Sequence, residues 1–193
     1  MNITCAILAG GQSKRMGRDK ATIDVGEAAL IGHVLARVQP IFDEVFVVSS
    51  NHKSMRGVEV PIHPDVLPQK GPLVGLVSAL FYSRTPYVFV VACDMPFLDQ
   101  NLIRSMIDEI HGEDIIIPKT AVGYEALHAI YNRSCLSPML RLIDGGRFRV
   151  RDIFPFVTVQ TFAVDTISVF TNVNTQKDLE SVCDRLRGER EGS

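Results

Sequence analysis

What this chain lacks narrows its function first. Its four cysteines, Cys5, Cys93, Cys135 and Cys183, lie far apart with no CxxC pair. That excludes the disulfide framework of a small secreted domain, and Cys5 and Cys93 read instead as small hydrophobes in apolar runs. The histidines show no metal-ligand spacing. No apolar run approaches a membrane span, and the start of the chain has no basic stretch followed by a long apolar segment. No membrane contact and a cytoplasmic location are therefore expected. A net charge of only −2 provides no global basic field, so no nucleic acid is expected as a partner. No internal repeat, low-complexity tract or linker divides the chain. With 193 residues, 46% of them hydrophobic, one domain over residues 1–193 is large enough to bury a core without staples.

Strand-like and helix-like segments alternate along most of it. ITCAIL (3–8) is too short for a helix and stops at Gly10-Gly11, so it reads as a buried strand. ATIDVG (21–26) alternates weakly. Leu30, Ile31, Val34, Leu35 and Val38 mark one face of a helix closed by Pro40. VFVVS (45–49) is a second buried strand, and VEVPIH (58–63) a weaker one that Pro61 confines to an edge or an end. GPLVGLVSALFYS (71–83) reads as a helix with proline in its first turn. YVFVVAC (87–93), almost wholly apolar, is the strongest central strand. Asp99 caps a helix carrying Leu102, Met106 and Ile110 and ended by Gly112, and DIIIP (114–118) follows as a strand.

This β-α-β-α-β-α-β order predicts a mostly parallel sheet with right-handed crossovers. The second half is less regular. ALHAIYN (126–132) and VTVQTFAV (157–164) read as strands, CLSPMLRLI (135–143) as a short helix, and VFTNV (169–173) as one further strand. Thr175 and Asp178 imitate a capping box before a last helix over 176–187, and the polar tail GEREGS is expected to fray.

Residues 8–20, LAGGQSKRMGRDK, carry the first chemical signal. A buried strand, adjacent glycines and the cations Lys14, Arg15, Arg18 and Lys20 are the parts that hold a triphosphate, because backbone amides approach only where no side chain intervenes. The spacing of Gly10, Gly11 and Gly17 fits neither a dinucleotide fingerprint nor a Walker loop. A tight turn with surface cations is the competing reading. Asp94, in ACDMPF (92–97), supplies the second signal. It stands at the carboxyl end of the strongest strand, where open α/β sheets bind ligands, and a carboxylate there suits Mg2+ shared with phosphate oxygens. A turn-forming aspartate before Pro96 is the alternative. Asp65, in the turn-rich HPDVLPQKGPLVG, is a third candidate. His128, inside an apolar strand, reads as a satisfied core or rim histidine.

LAGG-x-S-x-RMG-x-DK, then GPLVG, then CDMPF resemble the molybdenum cofactor guanylyltransferase family of MobA-like nucleotidyltransferases. The match continues through LHAIYN, GGRFRVRDIF and FTNVNTQKDLE and so covers nearly the whole chain. The resemblance implies a Rossmann-like three-layer α/β/α nucleotidyltransferase fold with a mostly parallel central sheet. It divides the chain into a nucleotide-binding half, about 1–112, and an acceptor-binding half, about 113–188. It implies GMP transfer from GTP to the terminal phosphate of molybdopterin (molybdenum cofactor) with Mg2+, giving the guanine dinucleotide cofactor and pyrophosphate.

Carried over by position, Leu8, Ala9, Gly10 and Gly11 lie against the nucleotide, and Asp65 contacts the guanosine part. Arg15 and Lys20 face its phosphates, and Asp94 binds the metal. Some members carry an asparagine after the second strand where this chain has Ser49-Ser50-Asn51, and Ser49 takes that place by register. Many carry a proline where Tyr124-Glu125-Ala126 stands. Cofactor-biosynthesis proteins and acceptor molybdoenzymes are the implied protein partners. The basic run GGRFRVRD (145–152) could meet the anionic acceptor or such a partner, or could be a solvated patch. Two other readings remain at this point: a cytidylyl- or sugar-phosphate nucleotidyltransferase, and a non-catalytic GTP-binding accessory protein.

Overall fold

The two most apolar runs lie side by side at the centre of one sheet. ITCAIL forms β1 (Ile3–Leu8) and is buried at every position, as a strand covered on both faces must be. A short antiparallel hairpin of β2 (Asp24–Val25) and β3 (Ala28–Ala29) leads into α1 (Leu30–Val38). The chain continues through β4 (Glu44–Val48), β5 (Ile62–His63), α2 (Pro72–Tyr82) and β6 (Tyr87–Ala92), the second fully buried strand. Next come α3 (Gln100–Asp108), β7 (Ile115–Thr120), β8 (Gly123–Tyr124) and β9 (His128–Asn132). Last are α4 (Leu136–Asp144), β10 (Val159–Ala163) and α5 (Gln176–Glu191). The computed structural model describes residues 2–10, 20–26, 28–51, 55, 57–165 and 167–191.

Across the sheet the order is β10-β7-β9-β6-β1-β4-β5, with β8 paired to β7. β1 runs parallel to β4 and β6, β4 to β5, and β7 to β10. β9 is antiparallel to β6 and β7. The parallel α/β/α architecture is thus the one expected, with β9 filling the gap left when β7 is laid two places from β6. From β1 the chain first moves toward β5 and then crosses back to β6. The crossovers through α1 and α2 run in opposite directions and put these helices on opposite faces, as right-handed connections do. α3 shares the face of α1 although β6 to β7 runs the same way as β5 to β6. The apolar faces of α1 and α3 pack with Ile7, Phe89, Val91 and Ile130 on one side. α2 and α4 pack with Ala6, Val90, Ile117 and Tyr131 on the other.

Three segments depart from expectation. The strand at 58–63 shrinks to two residues, because Pro61 has no amide to donate, although its carbonyl still accepts Val47 N–H at 2.9 Å. VFTNV is not a strand: a 3-10 turn over Ile167–Phe170 runs into a loop, and the Thr171 hydroxyl donates back to Ser168 O at 2.8 Å. Such local side-chain bonds compete with ladder pairing. The final helix does begin at a reciprocal cap, with Thr175 Oγ1 accepting Asp178 N–H at 3.2 Å and Asp178 Oδ2 accepting Thr175 N–H at 2.8 Å. It extends past residue 187 to Glu191, since arginine and glutamate are good helix formers.

Asp114 joins the second half together. Its carboxylate accepts the Ser134 hydroxyl, Thr158 N–H at 2.8 Å and the Thr158 hydroxyl at 2.9 Å. Partial burial pushes this carboxyl up, but the Ser134 and Thr158 bonds outweigh burial and hold it below the usual range. A depressed carboxylate stabilises above its unfolded pKa, and that contribution is lost as pH falls through the folded value. Asp114→Ala is expected to cost about 2 kcal/mol, from net bond values of about 1 kcal/mol each discounted for exposure. Urea unfolding at neutral and at acid pH checks it: the difference between wild type and variant should shrink in acid.

Candidate active site

The register of the central strands builds the site. Leu8 pairs with Val48 on one side and Ala92 on the other, and Val48 pairs with His63. Four parallel strands therefore end level. Their ladders run one residue further, with Ala9 N–H on Val48 O at 2.8 Å, Ser49 N–H on His63 O at 2.8 Å and Cys93 N–H on Leu8 O at 3.1 Å. Leu8-Ala9-Gly10, Ser49, Asp65 and Asp94 consequently share one carboxyl edge, at the point where the strand order reverses around β1. Gly11 and Arg15 lie outside the described residues. Lys20 begins a 3-10 turn, Lys20–Thr22, directly before the β2–β3 hairpin.

Asp94 is presented by apolar anchors. Met95, Phe97 and Leu98 are buried at 2%, 5% and 2% exposure, which leaves the aspartate half-exposed at the strand end. Arg185 of α5 stacks over the Phe97 ring at 3.8 Å. The Asp94 carbonyl accepts Val173 N–H at 3.0 Å, and Val173 is itself buried with Val25, Leu30, Phe97 and Val182. The loop after the 3-10 turn is thereby pinned to the end of β6, with Asn172 and Asn174 flanking the pinned residue. Reading 169–173 as a strand hid this approach of Asn172 and Asn174 to the end of β6.

Asp65 is positioned by α2. The Ser78 hydroxyl lies 3.3 Å from its Oδ1, accepts Val66 N–H at 3.0 Å and reaches Val74 O at 2.9 Å. Burial pushes the Asp65 carboxyl up, and the Ser78 hydroxyl partly offsets that. Ser78 is fully buried. Ser49 is equally buried, and its hydroxyl accepts Asn51 N–H at 3.1 Å. It shapes the turn after β4 and leaves Asn51 exposed beside it.

Two glycines matter here. Gly71, at φ +136°, occupies the left-handed region at the start of α2, where a side chain is strained. At Gly75 an added Cβ would come within 3.0 Å of Leu8 Cδ1, so this glycine lets α2 pack closely against the end of β1. Gly75→Ala should push the Leu8 tip toward the carboxyl edge. The expected result is weaker nucleotide binding, about threefold to tenfold in KM, while stability changes by less than about 1 kcal/mol because alanine favours the helix. Steady-state kinetics alongside thermal unfolding checks it.

The same edge continues into the second half. Ala92 N–H donates to Leu127 O at 3.1 Å, which sets Glu125-Ala126-Leu127 beside the end of β6. Burial raises the Glu125 carboxyl above its ordinary range. Lys119 lies over the Tyr124 ring at 5.9 Å. The basic run sits at the start of α2, where an added Cβ on Gly71 would be 3.9 Å from Phe148. Arg147 pairs with Asp152 at 3.2 Å, and Arg149 and Arg151 are exposed. Among the described residues no group of three or more His, Cys, Asp or Glu could enclose a metal, and no helix is long and apolar enough to cross a membrane.

His128 corrects an expectation. It is fully buried, but neither ring nitrogen has a hydrogen-bond partner among the described residues, so there it is not a satisfied core histidine.

Residues 5–157 match the MobA-like NTP transferase domain. The chain belongs to this family. A molybdenum cofactor guanylyltransferase of Desulfosudis oleivorans is 32% identical over 187 residues, covering 92% of this chain and 93% of that one. Among solved structures, the molybdopterin-guanine dinucleotide biosynthesis protein A of Archaeoglobus fulgidus superposes with TM-score 0.83 at 24% identity, over 96% of this chain and 99% of that one. A Mycobacterium tuberculosis protein solved in complex with manganese shares the fold at TM-score 0.68 and 18% identity, over 95% and 99% of the two chains. As a MobA-like NTP transferase the chain has the fold that its β-α alternation predicted, and its carboxyl edge is the edge where that fold places a nucleotide.

Proposed function

We propose that this chain transfers GMP from GTP to the terminal phosphate of molybdopterin. An acceptor phosphate oxygen attacks the α-phosphorus, a new P–O–P linkage forms, the α–β bond breaks, and pyrophosphate leaves with its electron pair. The observation that carries the reading is the level ending of β1, β4, β5 and β6, which gathers Leu8-Ala9-Gly10, Ser49, Asp65 and Asp94 on one edge. Gly10 adds support. A Cβ there would meet nothing within 4 Å, so packing among the described residues does not demand glycine, while close approach of a phosphate does.

Because two anions must meet, the protein's work is alignment and charge neutralisation. No protein nucleophile is required, since a phosphate monoester is already ionised near neutral pH. Arg15 and Lys20 would stabilise the departing pyrophosphate, one as a fork and one as a point charge. Asp65, held by Ser78, would orient the nucleoside from the β5 side. A single half-exposed carboxylate at Asp94 suits Mg2+, which is commonly held by one or two carboxylates plus phosphate oxygens and water. The metal, when bound, would withdraw charge from the α-phosphate and the leaving group. Glu125, Lys119 and the exposed Arg149 and Arg151 would serve the acceptor side.

The decisive assay follows pyrophosphate release with GTP, CTP, ATP or dTTP, with and without molybdopterin. Release confined to GTP plus molybdopterin is expected. Equal use of CTP, or nucleotide binding without release, would overturn the proposal.

A further inference from the structure

His128 is the one described residue whose buried side-chain polar atoms all lack partners. It lies on β9 opposite Val91, on the face of the sheet that carries α1 and α3. Its ring makes edge-to-face contacts with Phe89 of β6 at 5.1 Å and with Phe170 at 5.1 Å. Phe170 ends the 3-10 turn that opens into the loop pinned to Asp94 O through Val173 N–H. The far end of that loop is tied into the cap of α5, where Asn174 N–H and Thr175 N–H both donate to Asp178. The near end rests on the imidazole. A phenylalanine would fill this aromatic slot without leaving two ring nitrogens unmet, and an unmet buried polar group is costly.

We propose that His128 is a positioning residue whose neutral ring seats the 168–174 segment against the end of β6, and that gaining a proton unseats this segment while the rest of the sheet stays folded. A charged imidazole requires water or an anion. Of its two ring contacts, Phe170 lies on a 3-10 turn while Phe89 lies in a central strand, so Phe170 is the one that can lift to admit water. Among the described residues, Asp99 at the start of α3 is the group whose charge acts on the ring, and it favours the proton slightly. β6 presents Phe89 and Val91, and the 3-10 turn presents Phe170; none of these titrates. Burial outweighs Asp99 and holds the imidazole down to about 3, against an ordinary value of 6.5. A depressed histidine stabilises the seated state above 6.5, and that contribution is lost progressively as pH falls toward 3. A consequence for transfer would rest on the role proposed above for Asp94; the seating itself does not.

Hydrogen exchange on the ligand-free chain tests the seating without reference to GTP. After correction for the intrinsic pH dependence of exchange, the opening constant of the Val173 amide should rise about tenfold between about pH 7.5 and about pH 5.5. The central amides of Ile7 and Val90 should show no comparable rise. In His128→Phe, and in His128→Met should the larger ring disturb folding, the Val173 rise should fall below about twofold. A flat wild-type profile at Val173 overturns the proposal, as does a rise that survives both substitutions. An equal rise at Ile7 and Val90 overturns it too, because it would report general acid destabilisation.

Discussion

Asp94→Asn abolishes guanylyl transfer, by at least about a thousandfold in kcat/KM, and leaves the fold intact. The magnitude is that of removing a preorganised charge stabiliser at a phosphoryl centre, about 4 kcal/mol or more. The carboxylate is presented at the end of the fully buried β6 by Met95, Phe97 and Leu98, which anchor the segment on either core. Asparagine keeps the backbone carbonyl that accepts Val173 N–H, so unfolding should shift by less than about 1 kcal/mol. Transfer from α-labelled GTP, run beside thermal unfolding, checks both halves. Near-normal transfer would remove Asp94 from the metal site, whereas a collapsed melting curve would make it a structural residue instead.

Asp65→Ala raises KM for GTP by about tenfold to a hundredfold with little change in kcat. Such a split marks a contact made equally in the ground and transition states, and the size matches one hydrogen bond to a charged group, about 1.5–3 kcal/mol. Burial pushes its carboxyl up, and the Ser78 hydroxyl only partly offsets that. Wild-type kcat/KM should therefore begin to fall on the acid side at a higher pH than an ordinary carboxylate would cause, and the variant should lack that limb. A variant with unchanged KM, or with the acid limb intact, would show that Asp65 serves only the turn before α2.

Two features of the site were legible because they depend on local pattern. Gly10, placed directly after the apolar run of β1, marks where that strand ends. CDMPF, after the most apolar run, had to put its one carboxylate at a strand end. Features built by distant segments were less legible. Ser78 reads as one small residue among several on α2 until β5 brings Asp65 within 3.3 Å of it. Asn172 and Asn174 follow a run that favours a strand, and only Val173 N–H meeting Asp94 O, with Phe170 packed into the core, sets them at the edge. His128 was misread for the same reason. Apolar neighbours along β9 say that it is buried, but whether a buried imidazole finds a partner depends on β6 and on residue 170 folding over it.

The amino-acid order alone determined most of the strands and helices, the parallel sense of most of the sheet, and the strand ends at which Gly10 and Asp94 stand. These follow from hydrophobic period and glycine placement, which act over a few residues. Tertiary structure alone decided that β9 runs antiparallel between β6 and β7, that four strands end level, and that the 168–174 segment lies against the end of β6 with an unpartnered imidazole beneath it. Those outcomes turn on which of several compatible surfaces pack together, and no local pattern encodes that choice.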